Sequence, residues 1–452
     1  MSKPLCVIQG PVFSRSGYGD LATDLARSII RYDKYDVKIA PTRWGGCPSK
    51  VSDNDLNTEE DKKLFSHFLN APLQKQPDLF VQISIPNEFQ TVGKYNIGIT
   101  AGIETTAASG QFIEGLNKMN MNIVTSNHVK KVFESALYQK QYEDGRKEPL
   151  KSEKPIEVCF WGADTSIYKK TDEKVQSVED VMSTIPEKFA FLFVGQWTHG
   201  GLFTDRKDIA NLIKVFSETF KNAKPENRPC LVVKTNGVNF SKIDRDDTLK
   251  KIKKIQSLVG DNVPNVYLIH GELSPVEMNA LFNHEKVKAH INFTHGEGFG
   301  HPILLSTLSG KPTVVSNWSG HLDFLNPKYA EFFEGTVKPI DPGSVNDWLI
   351  KESCWFYVSQ SLASDKLKML YNSLSKNILE DYEKLRIENE QKFSLQAMDV
   401  RLHEILNKYV PEFSVEQKIV LPKLKKIELP KLNKLELPKL NKLELPKLNK
   451  IS

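Results

Sequence analysis

From about residue 5 to residue 410 the chain alternates short apolar runs with amphipathic stretches, and this alternation restricts the fold more than any other property of the sequence. Leu5–Gln9, Val37–Ala40, Leu79–Ser84, Tyr95–Thr100 and Asn122–Thr125 read as strands, with helices over Tyr18–Ile30 and from about His128. A second set begins at Phe189–Val194 and continues through a helix over Lys207–Phe220 and strands at Cys230–Lys234 and Val266–His270. Strands that read as apolar runs and are separated by helices form parallel sheets covered on both faces. At 452 residues the chain exceeds what one hydrophobic core usually serves. The charged stretch 140–188, with Pro155 and Pro186, separates the two sets. The expectation is therefore an α/β protein of two Rossmann-like halves facing across a cleft, residues 1–184 and 185–412. The second half is expected to end in a closing helix over Leu395–Val410, and residues 413–452 form a tail.

That tail decides how the charge is read. From Leu421 onward the chain is an octapeptide repeat, LPKLKKIE, LPKLNKLE, LPKLNKLE, LPKLNKIS, whose prolines prevent a continuous helix. Its nine lysines and three glutamates carry +6 of a net charge of +5, which leaves −1 for the preceding 420 residues. The body thus has no basic signature for nucleic acid. The lysines at 250, 251, 253 and 254 read as a solvated helix face. The tail reads as an appendage able to engage an acidic partner or a membrane surface. Five cysteines are scattered without metal-ligand spacing, no apolar run is long enough to span a bilayer, and MSKPLCVIQG enters a strand at once. These features predict a cytoplasmic protein with reduced thiols.

Residues 290–324, HINFTHGEGFGHPILLSTLSGKPTVVSNWSGHLDF, hold the densest functional signal. They parse as a buried strand, a glycine loop (Gly296, Gly298, Gly300), a short helix opening at Pro302, and a strand at Thr313–Ser316. Glycines that let bare backbone approach a ligand, feeding a helix N-terminus, make a site for an anion such as a diphosphate. Glu297 stands at the mouth of the loop. His295, His301 and His321 cluster in sequence there, but their spacing places them on different elements, so no metal is expected.

This stretch resembles the retaining GT-B glycosyltransferases of the glycogen synthase and mannosyltransferase type, the family 4 or group 1 enzymes. The resemblance rests on Glu297, Gly298-Phe299-Gly300, Pro302, the Gly310–Pro312 turn, the strand Val314–Ser316, and Gly320 with Asp323. It extends to Gly10–Ile29, where Ser16-Gly17-Tyr18-Gly19 looks like the loop that closes on donor phosphates. Phe191–Phe216 resembles the first strand and helix of the donor half. By this resemblance Glu297, Lys207 and Arg206 are catalytic candidates, and Gly17, Gly19, Gln196, Gly298, Phe299, Gly300 and Pro302 bind the donor. Glu104 and His128 are acceptor-side candidates. Two positions depart from the family: Gln196 stands where relatives have an arginine, and the second glutamate, which binds ribose in relatives, falls on Leu305. The layout, tail included, resembles glycosyltransferases of large tailed bacteriophages.

The resemblance implies a hexosyl- or pentosyltransferase. It would move sugar from a nucleoside-diphosphate sugar to a hydroxyl of a glycan or a modified nucleobase, with retention and with no metal or other cofactor. Such a site needs no nucleophile, because preorganised donors aimed at the departing phosphate carry the catalysis. The alternative from another class is a non-catalytic scaffold that binds a nucleotide sugar or glycan through a degenerate site and works through its tail. A nicotinamide site at Gly17, Gly19 and Ala22 is disfavoured because no acid ends the second strand at Ile39-Ala40-Pro41. A P-loop fails because Gly310-Lys311 is followed by Pro312.

Overall fold

A computed structural model describes residues 3–51, 56, 58–198, 200–237, 239–372 and 376–413, so the octapeptide repeat lies outside the described residues. Met1–Phe413 is one compact unit. In its first half the order is β1 (Leu5–Gly10), α1 (Gly17–Tyr32), β2 (Asp36–Pro41), α2 (Glu59–Phe65), β3 (Leu79–Ile83) and β4 (Tyr95–Thr100). Then come α3 (Gly110–Lys118), β5 (Met121–Val124), α4 (Asn127–Ser135), the hairpin β6 (Leu137–Gln141) and β7 (Lys147–Lys151), and β8 (Ile156–Val158). The sheet runs β2-β1-β3-β4-β5-β8, all parallel. Helix α1 forms because Leu21, Ala22, Leu25, Ala26 and Ile29 recur on one buried face, and the Ser16 side chain caps it by accepting from the Gly19 N–H.

The second half comprises α5 (Gln176–Ser183), β9 (Ala190–Val194), α6 (Ile209–Phe220), β10 (Cys230–Lys234), α7 (Lys242–Val259), β11 (Val266–Ile269) and α8 (Pro275–Asn283). It continues with β12 (Val287–Asn292), α9 (His301–Thr307), β13 (Thr313–Ser316), β14 (Phe332–Phe333), the hairpin β15 (Gly335–Pro339) and β16 (Cys354–Val358), α10 (Gln360–Asn372), α11 (Lys376–Lys392) and α12 (Leu395–Tyr409). Its parallel sheet, β11-β10-β9-β12-β13-β14, has the doubly wound arrangement in which the order of the strands reverses beside β9. Carboxyl ends of the strands at such a reversal open onto a crevice, which is where ligands bind.

Helix α5 lies against α8 of the second half, where the Ser177 hydroxyl donates to Glu277 (2.5 Å) and the Lys286 ammonium to the Met182 carbonyl (2.8 Å). Helix α12, assigned from sequence to the second half, packs on α1 of the first, with Arg31 bidentate on Asp399 (2.7 and 2.8 Å) and Arg401 on Glu157 (2.8 Å). The chain thus crosses between halves twice, and the two crossings bond to each other: Ala163 N–H to Phe393 O (2.7 Å) and Leu395 N–H to Ala163 O (2.8 Å). The hairpins β6–β7 and β15–β16 and helix α3 were not read from sequence. Cys6, Cys159 and Cys230 are buried free thiols. No helix among the described residues is long and apolar enough to cross a membrane.

Candidate active site

Two short segments of the second half bring opposite charges together. In the turn before α6 the Asp205 carboxylate accepts from the Lys207 N–H (3.0 Å) and the Ala210 N–H (3.4 Å), and Asp208 adopts a left-handed conformation at φ 49°. In the loop after β12 the Glu297 N–H donates to the Ser319 hydroxyl (2.9 Å). The Lys207 ammonium then donates to Glu297, and Arg206 Nη1 lies 3.3 Å from the second carboxylate oxygen of Glu297 and 3.1 Å from the Gly296 carbonyl. Arg206 Nε reaches across the cleft to Glu104 Oε1 of the first half at 3.5 Å. The Glu297 and Lys207 side chains are buried, and those of Arg206 and Glu104 are partly open.

The cluster shifts Glu297, Arg206 and Lys207. Burial alone would raise the Glu297 carboxyl, but the Lys207 and Arg206 cations beside it bring it down to about 2. Burial works against the Arg206 charge too, and Glu104 and Glu297 outweigh it and hold the guanidinium above its ordinary value. Burial draws the Lys207 ammonium below its ordinary value even with Glu297 in contact. The Glu297 carboxylate is therefore held ionised, and of the two cations Lys207 is the one that burial weakens.

This cluster borders a cavity of about 850 Å³ between the halves. Gln9, Gln82 and Glu104 at strand ends of the first half line it, with Gln196, Arg206 and Trp348 of the second. Its size suits a small-molecule ligand. Tyr18 lines it as well: its hydroxyl bonds Thr100 Oγ1 (3.0 Å) and accepts from the Ala101 N–H (3.1 Å), which fixes the ring against Trp44 at 4.2 Å between centroids. Neither Trp44 nor Trp348 was singled out from sequence. Their signal was position: Trp44 follows β2 beside Gly45-Gly46, in a loop at the carboxyl end of a parallel strand.

The glycine loop differs from the sequence expectation. Gly296 and Gly298 turn their bare faces to protein: a Cβ at either would collide with the carbonyl oxygen of Glu104 or Ala101 in the first half. The Ser126 hydroxyl donates to the Gly298 carbonyl (2.5 Å), and the Asn127 N–H donates to Asp323 (2.8 Å). Gly300, at φ 92°, begins α9. In that first turn Pro302 has no N–H, and the Ile303 and Leu304 N–H groups both close on the Gly300 carbonyl (2.9 and 3.1 Å), so few donors remain for an anion. The Phe299 ring packs on Phe324 at 5.1 Å. Leu305 is buried in the core, 8% exposed.

Gly17 lies open at the start of α1, whereas Gly19 is packed against the Ser14 carbonyl. Gln196 donates to the Gly237 carbonyl (2.9 Å). His128 sets its ring edge-on to Trp318 at 4.9 Å, and its buried Nε2 has no hydrogen-bond partner among the described residues; burial and the neighbouring His321 push its pKa down to about 4. Each of the other loop histidines bonds a carbonyl: His295 that of Phe356 (2.6 Å), His301 that of Gly162 (3.1 Å), and His321 that of Ser316 (2.7 Å). Among the described residues no three His, Cys, Asp or Glu side chains are grouped to hold a metal ion.

Two facing Rossmann-like sheets with a charged cleft between them, tied by a double crossing, define the GT-B fold. No protein-family model matches the chain, and no curated protein does. Among solved structures it resembles a glycosyltransferase from Rickettsia africae (TM-score 0.59, 12% identity, 91% of this chain and 99% of that one). It also resembles HepE from Anabaena in complex with UDP and glucose (TM-score 0.56, 10% identity, 90% and 100%). A third likeness is to sucrose-phosphate synthase from Thermosynechococcus elongatus (TM-score 0.55, 10% identity, 90% and 98%). At these identities the likeness is one of fold.

Proposed function

We propose that this chain is a retaining glycosyltransferase of the family 4 type, which takes a sugar from a nucleoside-diphosphate sugar and passes it to a hydroxyl acceptor in the cytoplasm. The observation that carries the reading is the convergence of Lys207, Arg206 and Glu297 from two separate segments, with Arg206 lining an 850 Å³ cleft cavity and the other two directly behind it. Departure of a nucleoside diphosphate leaves negative charge on the phosphate oxygens, and two adjacent cations held in a largely dry site are preorganised to receive it. Glu297, ionised at neutral pH, compensates those cations between turnovers and accepts hydrogen bonds from sugar hydroxyls. On this reading the cations do the work a metal would otherwise do, and turnover survives chelation. The Rickettsia neighbour is a glycosyltransferase and HepE is complexed with UDP and glucose, which supports a nucleotide-sugar donor.

The test is nucleoside diphosphate release from a panel of nucleotide sugars, with and without EDTA. Release that is unaffected by the chelator supports the proposal. A wild-type chain that binds a nucleotide sugar but never releases the diphosphate favours the non-catalytic scaffold.

A further inference from the structure

We propose that the acceptor is an uncharged saccharide gripped between Trp44 of the first half and Trp348 of the second, and that the β15–β16 connection selects it. The inference rests on the glycosyltransferase reading for the word acceptor, but the binding site itself is argued from the cavity. Trp44 lines the cavity in the loop that leaves β2, and its stack on Tyr18 (4.2 Å, 24° between planes) covers one face of the indole. The indole is only partly buried, and on this proposal its other face takes the ligand. Trp348, in the connection between β15 and β16, lines the same cavity. There the Asn346 side chain accepts from the Trp348 N–H (2.8 Å) and the Leu349 N–H (2.9 Å).

That connection is braced against the first half. Phe112 of α3 stacks on Trp348 at 6.0 Å and 26°, and Thr106 exchanges two hydrogen bonds with Cys354 (2.9 and 2.8 Å). Trp348 is nonetheless 40% exposed. A large indole that lines a cavity and is left partly open to solvent gains most by covering an apolar ligand face. Sugar rings have such faces, made of C–H groups, with hydroxyls around the edge for Glu88 and Glu104 to accept from.

Charge chooses between the ligands that stack on indole. The ionised residues lining the cavity are Arg43, Arg206, Glu88 and Glu104, two of each sign, and Arg206 is already engaged by Glu104 and Glu297. Nucleic acid needs several uncompensated cations to replace the counterions of its phosphates. The residues before the repeat carry a net charge of −1. A neutral, hydroxyl-rich ring matches the lining, and a polyanion does not.

The experiment is calorimetric titration of the full chain, without donor, with neutral trisaccharides built from glucose, mannose, galactose or xylose, and with a short single-stranded DNA. At least one trisaccharide is expected to bind, with its dissociation constant raised about tenfold in Trp348→Ala and largely restored in Trp348→Phe. Trp44→Phe serves as the milder change on the first-half side of the clamp. Binding of the DNA in place of every trisaccharide, no binding of any probe, or equal affinity in wild type and Trp348→Ala with an unchanged melting temperature would each overturn the proposal. Because no donor is present, saccharide binding stands or falls apart from nucleotide release, so failure of the catalytic reading is seen separately.

Discussion

Glu297 has a double task at the residue scale, and its substitution must be judged on both. Its carboxylate is the partner of Lys207 and Arg206, so Glu297→Gln leaves two cations facing a neutral amide in a mostly buried site. Breaking a buried pair by removing one member costs about 3–5 kcal/mol. The variant should therefore lose stability in denaturant unfolding as well as activity, and Lys207→Met combined with Glu297→Gln should regain part of it. Sequence alone gave no reason to expect the stability loss, because the ion pair joins residues far apart in the chain. The pH dependence has a definite sign. The folded carboxyl titrates at about 2 against an ordinary 4.5, so its contribution is complete above pH 4.5 and is lost as pH falls toward 2. The stability gap between wild type and Glu297→Gln should shrink across that window. A gap that stays constant would place the carboxylate outside the ion pair. Leu305 teaches a complementary lesson: the departure from the family glutamate was visible in sequence, but only packing shows that the leucine is buried in the core.

The glycine loop shows at the element scale how one local pattern serves two purposes. Period and punctuation placed the strand, loop, short helix and following strand near their observed positions, because apolar runs, Gly300 and Pro302 act on adjacent backbone. What they could not convey was which surface the loop faces. Gly296 and Gly298 meet the Glu104 and Ala101 carbonyls of the first half, so these glycines allow the halves to close on each other. Gly298→Ala should push the loop off Ala101, cost about 1–3 kcal/mol as an overpacked contact, and enlarge the radius measured by small-angle scattering. An unchanged radius with wild-type stability would mean that the loop yields at no cost. The hairpin β15–β16 escaped notice because strands of five residues with a long connection have little periodicity to read.

The sequence supported two α/β halves at the scale of the whole molecule because strand–helix alternation is a repeated local signal. Helix α5 packs on α8 and helix α12 on α1, contacts that local sequence pattern does not convey. A crossing made of two bonded segments, at Ala163 and at Phe393–Leu395, has no compositional mark. The octapeptide repeat follows a unit that already contains every residue of the cleft cluster, so truncation after Phe413 should leave nucleotide release unchanged; loss of turnover in the truncated chain would give the repeat a part in the site.

The most direct test of the central claim, that Lys207 and Arg206 receive the charge of a departing nucleoside diphosphate, compares wild type with Lys207→Met. Nucleoside diphosphate release would be followed from each of a panel of nucleotide sugars, with melting temperatures checked in parallel. The expected result is release from at least one donor by the wild type, lowered about a hundredfold or more in a variant that still folds. Release by Lys207→Met at the wild-type rate, or no release by the wild type from any donor, would contradict it.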